Sequence, residues 1–324
     1  MHISRRQFIS WGSAVSLALP FGAQAQAYPR KPITLLVPFA PGGNIDVLAR
    51  SLSLPMAKLL GQTVLVDNRA GGGGAIGTAI AAKAEADGYT VLVTTPGQLA
   101  TLPKMIKTTY TSSSLTPVGV ASRTSMVVVA RANDPRYKDF EQVIAAIRDR
   151  PGTLAGGHAG AGTINHLALL QLEAACRGKI NPVAYRGSAP ALVDLLGGQV
   201  DVVFDQITSS MPHIKSGALK ALAVLSTEPE PALKGVPILS QYALQPFDAT
   251  TFVGLFVPAG TPAPVIAALA AALEQSVLDP HLISTLAELG SYAKFADART
   301  LSRHVQVEEA LAVSLVKEGR LKSD

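Results

Sequence analysis

A single cysteine in 324 residues leaves no partner for an internal disulfide. Cys176, within LEAACRG, reads as a small buried apolar residue rather than a reactive thiol. Trp11 is the one tryptophan, and it lies in the first 27 residues, so the remainder has none. Charge is sparse at 16% and spread without a basic stripe, which argues against a nucleic-acid partner. Beyond residue 27 no stretch reaches membrane-spanning length without a charge or a cluster of Gly and Pro, so the exported chain is expected to be soluble. Catalytic signatures are missing as well. There is no G-x-S-x-G elbow, no H-E-x-x-H and no paired Cys/His spacing, and the six histidines are scattered. No metal, no cofactor and no assembled catalytic set are expected.

The first 27 residues have the three parts of an export signal: SRRQFIS, the apolar WGSAVSLALPFG and the small-residue AQAQA. Arg5 and Arg6 before Gln7 and Phe8 look like the twin-arginine version. The apolar core is shorter than the roughly 20 residues of a bilayer span, and Ala25 and Ala27 fit an A-x-A cut before Tyr28. Cleavage there leaves 26 basic and 23 acidic side chains, a net charge of +3. The length and the 48% apolar content suit two packed cores.

From Ile33 onward short apolar runs alternate with helical patterns, which predicts an α/β fold built from βαβ units on mainly parallel sheets. Strands are read at 33–39, 63–68, 89–95, 117–122, 126–130, 153–157, 180–185, 200–205, 219–226 and 251–259. The clearest helices are 140–150, 164–176, 190–198, 263–279 and 299–319, with helices alone after the last strand. Pro55 is expected to kink or split the first helical pattern. Near Arg123 to Ser125 two strand-like runs follow each other without a helix, and the chain turns back at 248–262. These crossings suggest a discontinuous first domain, 28–126 plus 252–324, and a second at 127–251, with a ligand cleft between them.

The stretch LLVPFAPGGNIDVLAR, residues 35–50, is strand, glycine turn and helix start, the construction of an anion seat. No Lys-Ser/Thr follows its glycines, as a nucleotide phosphate loop needs. Amides from Gly42 to about Asp46 are candidate donors, with Asn44 as a fair N-cap and Asp46 complementing the helix dipole. GGHAGAGTINHLAL, residues 156–169, repeats the design, with Gly160 and Gly162 in the turn and Thr163 as cap. His166 one turn in is either a ligand group or an imidazole bonded to a carbonyl, and His158 is less committed. Two such turns facing one cleft clamp a carboxylate without any arginine. Gly72, Gly74 and Gly77 have G-x-G-x-x-G spacing, but Asp67 to Gly71 separate them from the strand and the next strand ends in neutral Thr94 and Thr95. A loop and helix start near the cleft is the better reading. Tyr185 and Asp205 stand at strand ends, where open α/β sheets bind ligands; Asp205 is either a ligand contact or a helix N-cap.

YPRKPITLLVPFAPGGNIDVLAR, LGQTVLVDNRAGGGGAIGTAIAAKAEADGYTVLV, GAGTINHLA, YRGSAPALVDLLGGQVDVVFD, MPHIKSGALKALAV and FVGLFVPAGTPAPVI occur in this order. Together they resemble the Bug-type extracytoplasmic solute receptors of tripartite tricarboxylate transporters, over roughly Tyr28 to Glu318. The resemblance implies a type II periplasmic-binding-protein fold: two α/β domains joined by two crossing strands and closing on the ligand. It also implies that Phe39, Ala40, Pro41, Gly42, Gly43, Asn44 and Asp46, with Gly160, Ala161, Gly162 and Thr163, hold a carboxylate, partly through ordered water. Tyr185, Gly187 and Asp205 would line the other wall, and Thr95, His158 and His166 complete the candidate set. The chain departs from the family at His158, where a small Ser is common, at Pro96, and in TFVGL, which lacks a frequent Trp.

These readings predict a monomeric periplasmic receptor that hands a small organic carboxylate to membrane transporter subunits or a sensor. A hydrolase on the same scaffold, with Asp205 or His166 as base, is the alternative. The effector half of a transcription regulator is excluded by the export signal and the lack of a helix-turn-helix before Ile33.

Overall fold

The computed structural model of the protein describes residues 28–245, 247–319 and 321. The export signal read at 1–27 lies outside the described residues. Strands β1 (Ile33–Val37), β2 (Val64–Asn68), β3 (Thr90–Thr94), β4 (Leu115–Thr124), β10 (Thr251–Pro258) and β11 (Ser291–Asp297) form one sheet, in the order β11-β4-β10-β3-β1-β2. A second sheet, β7-β6-β8-β5-β9, contains β5 (Met126–Arg131), β6 (Ala155–His158), β7 (Asn181–Ala184), β8 (Val202–Gln206) and β9 (Leu219–Val224). The first lobe carries helices α1 (Asn44–Leu60), α2 (Ala75–Ala82), α3 (Gly97–Ala100) and α4 (Leu102–Met105). The second carries α5 (Phe140–Asp149), α6 (Ile164–Cys176), α7 (Ser188–Leu196) and α8 (Ile207–Lys215). Finally α9 (Ala263–Ser276), α10 (Pro280–Glu288) and α11 (Ala298–Lys317) return to the first sheet. The α/β class expected from the alternation is the class observed.

Strand periodicity explains the layers. In β1, Ile33, Leu35 and Val37 face α1 and α9, meeting Leu48, Leu52, Met56, Leu269 and Leu273, while Leu36 faces Leu301 and Val305 of α11. In β5, Met126 and Val128 pack on Phe140 and Ile147, and Val127 and Val129 pack on Leu192 and Leu195. Fully burying one such side chain contributes about 1.5–3 kcal/mol, so each sheet has a core on both faces. Only Ser125 separates β4 in the first sheet from β5 in the second. Glu230 accepts hydrogen bonds from Ser125 at this crossing and from Tyr292 in β11, tying the lobes beside the hinge.

Four expectations need correction. The sheets are mixed rather than mainly parallel, because β5 runs against both its neighbours and β10 against β3 and β4. Those strands are reached without a crossover helix, which a parallel neighbour would require. The chain after β10 is not helical throughout: β11 pairs with β4 as an edge strand, and its irregular SYAKFAD pattern hides it. The helix read over 263–279 ends at Ser276, and Asp279 caps α10 by accepting from the amides of His281 and Leu282. Pro55 does not split α1. Leu52 and Met56 on either side of it are both fully buried, and that packing holds the helix through the missing hydrogen bond.

Candidate functional site

At the first turn β1 ends, Gly42 takes φ +87° and Gly43 becomes the N-cap of α1, with no side-chain cap. Asn44 is therefore the first helical residue and not the cap. Glycine at the cap leaves the helix's leading amides uncovered. Asp46 curls back instead: its carboxylate accepts from the Gly42 amide at 2.9 Å, Arg50 Nε at 3.0 Å and Asn68 Nδ2 at 2.9 Å. Burial alone would raise its pKa, but these partners outweigh burial and hold it below the usual carboxylate value. The Gly42 amide is thus occupied. Helix geometry leaves the leading amides of α1, those of Asn44 and Ile45 among them, without intrahelical partners, and Asn44 Nδ2 is buried without a partner.

At the second turn β6 ends at His158, Gly160 and Gly162 take φ +126° and +70°, and Thr163 caps α6 by accepting from the His166 amide. His158 and His166 stack, ring centroids 4.5 Å apart. Burial and then the His166 ring push His158 down to about 3, and burial pushes His166 down to about 4, so both are neutral at physiological pH. His158 Nδ1 meets the Gly160 amide and His166 Nδ1 accepts from the Gly162 amide at 3.4 Å. The pair is a neutral prop beneath the turn. Gly160, Ala161 and Gly162 serve the seam between the lobes: Cβ atoms added at Gly73 and Gly160 would lie 2.2 Å from Ala161 O and 2.8 Å from Gly73 Cα. Gly73 belongs to the run with the dinucleotide-like spacing. Its neighbours Gly74 and Gly77 lie against Phe39 and Pro38 of the first turn, so these glycines permit close approach of backbone and ring.

A third helix start joins them. Gly187, at φ +136°, is the N-cap of α7, which begins at Ser188, two residues before the expected 190. The helix starts of α1, α6 and α7 all line one cavity between the lobes, through Asn44 and Ile45, Ile164 and Asn165, and Ser188. About 20 Å³ of its interior admits the centre of a water molecule, room for one or two waters, so the lobes are closed on each other here. A direct bond from the Ala40 amide to Arg186 O, 3.1 Å, spans the seam. Asp46 is the one ionisable side chain on the cavity wall, and its oxygens are already bonded. The site offers an anion helix-terminal amides and no cation.

The cavity gathers Phe39, Gly43, Asn44, Asp46, Thr95 and Thr163 from the candidate set. Ala40, Pro41, Gly42, His158, Gly160, Ala161, Gly162, His166, Tyr185, Gly187 and Asp205 lie off its wall. Tyr185 donates to Asp194 at 2.8 Å, which turns its hydroxyl along α7. Asp205 neither reaches the cavity nor caps α8; it is fully buried and accepts from Ser209 and Ser210. Burial raises its pKa. Ile45, within the amide run read from Gly42 to about Asp46, is also on the wall, whereas sequence reading missed Ala159, Ile164, Asn165, Ser188 and Gln206. The Gly-Ser start of α7 was visible as a possible helix terminus; the inward turn of Gln206 had no local signal.

Among the described residues no group of three His, Cys, Asp or Glu side chains could hold a metal ion. Residues 48–321 match the family described as tripartite tricarboxylate transporter family receptor. The chain belongs to that family. A UPF0065 protein from the tcbD-tcbE intergenic region of Pseudomonas sp. strain P51 is 35% identical, over 100% of this chain and 97% of its own. The periplasmic binding protein BugD has a similar structure, with TM-score 0.87 and 32% identity over 92% of this chain and 100% of its own. MatC from Rhodopseudomonas palustris, solved with malate, has TM-score 0.82 and 29% identity over 88% of this chain and 100% of its own. An R. palustris protein solved with adipate has TM-score 0.86 and 28% identity over 92% and 100%. The receptor thus has the fold of the periplasmic binding proteins, and its role is that of a solute-binding receptor.

Proposed function

We propose that the receptor captures a small organic carboxylate between its lobes and passes it unaltered to a membrane transporter or sensor. The observation that carries this reading is the convergence of three helix N-termini on one cavity whose wall has no cationic side chain. Partial positive charge and oriented amides fit an acid oxygen, and the malate and adipate held by similar proteins agree. The lobes, drawn at 28–126 plus 252–324 and at 127–251, swing about the crossings near Ser125 and Thr250. Closure follows from tighter binding to the closed form. A hydrolase would need His166 or Asp205 at the ligand, and both lie off the wall. Export to the periplasm with removal of residues 1–27 and a monomeric state complete the proposal.

The test is isothermal titration of protein unfolded, stripped of solute and refolded, against a panel of mono- and dicarboxylates. One-to-one binding without turnover is expected. A correctly folded protein that binds none of them, or that consumes one, defeats the reading.

A further inference from the structure

Asn165, the second residue of α6, is 1% exposed and lines the cavity. Its Nδ2 donates to Phe204 O at 2.8 Å and to Gln206 Oε1 at 3.3 Å. Those two acceptors fix the amide, because turning it over would set oxygen against oxygen. Oδ1 is therefore the atom left over, buried and without a partner. A carboxylate cannot satisfy it, since both are acceptors. The donor side of the cavity lies elsewhere, in the leading amides of α1, α6 and α7 and in Asn44 Nδ2, on a side chain 3% exposed.

We propose that this site selects acids that also carry a neutral hydrogen-bond donor, a hydroxyl, which Asn165 Oδ1 accepts while the helix amides hold the carboxylate. The inference rests on the receptor reading above and narrows its ligand class to hydroxy acids. An ammonium group in place of the hydroxyl is disfavoured on two grounds. The wall's one carboxylate, Asp46, is already bonded to Gly42, Arg50 and Asn68, and Asp205 is off the wall. Three helix N-termini also place partial positive charge around the cavity. Burying a cation there without an anionic partner is costly, whereas a hydroxyl adds no charge. An acid without any donor leaves Asn165 Oδ1 unsatisfied beneath the ligand.

The experiment titrates the refolded full-length exported protein first with the carboxylate panel. The best-binding acid is then compared with matched analogues that bear hydroxyl, amino or hydrogen on the same carbon. The hydroxy acid is expected to bind at least about tenfold tighter than the deoxy acid, and the amino acid more weakly than either. Asn165→Ala is expected to bring hydroxy and deoxy acids within about threefold of each other while still binding both. The wild-type comparison decides the matter if that variant fails to fold. A deoxy acid equal to its hydroxy partner, an amino analogue that binds best, or discrimination unchanged in Asn165→Ala overturns this inference and leaves the receptor reading standing. Folded protein that binds no carboxylate overturns both.

Discussion

The turn before α1 and the turn before α6 present their helix starts to the same cavity, but they are held by opposite means. In the first, an ionised Asp46 is clamped by the Gly42 amide, Arg50 and Asn68, and Arg50 is half exposed to solvent. In the second, a threonine hydroxyl caps the helix and two stacked neutral imidazoles support the glycines. The lesson is that an anion seat requires free amides and not a particular support. The charged clamp also occupies the Gly42 amide, so the first turn has fewer open donors than its glycines suggest.

Four perturbations separate the two designs. The largest effect is expected where the turns meet through the glycine run: Gly73→Ala places a methyl 2.2 Å from Ala161 O at φ +62°. Ligand affinity should fall by about a hundredfold or more in titration, with far-UV circular dichroism unchanged, because closure and not the fold is obstructed. Next, Asp46→Asn removes the charged clamp, and urea denaturation should show a loss of about 2 kcal/mol, moderated by the exposure of Arg50. Unchanged stability would mean that the first turn is held by its packing alone.

The third perturbation is pH. Both histidines bind protons more weakly folded than unfolded, so below about pH 6.5 the unfolded chain takes up protons first. Stability should be full above that pH and decline toward pH 4, by up to about 1.4 kcal/mol per pH unit for each histidine, levelling as the folded values are reached. Denaturation midpoints measured across the window for wild type and His166→Asn should differ in slope. The smallest effect belongs to the caps. Thr163→Ala should cost about 1 kcal/mol, while Gly43→Ala, at φ −82° and with Ser188 Cβ at an ordinary 3.7 Å, should stay within about 0.5 kcal/mol.

Particular residues show what was legible beforehand. Gly160, Gly162 and Thr163 announced a helix start, and Thr163 does cap α6, because capping depends on a few consecutive residues. Asn44 looked like a cap by the same logic and is not one: Gly43 takes that place, and Asp46 is held both by Arg50, one turn on in α1, and by Asn68, a partner from β2 that no local rule contains. Asp205, an acid at a strand end, is fully buried off the cavity wall, with Oδ2 bonded by the serines of α8 and Oδ1 without a partner, a placement that its position in the sequence does not reveal. Asn165, beside His166 at the start of α6, lines the cavity while His166 does not, a difference that adjacent positions in a sequence do not reveal.

By itself the sequence determined the alternation of strand and helix and the places where glycine lets the backbone turn, because periodicity and positive φ act over a few residues. Its ordered family segments added the receptor assignment. Only the tertiary structure decided that α7 joins α1 and α6 at one cavity, that the two histidines stack against the second turn, and that Asn165 is left with an open acceptor. Those outcomes depend on how two separately cored sheets pack across a hinge, and contacts between residues far apart in the chain are set by that packing rather than by local preference.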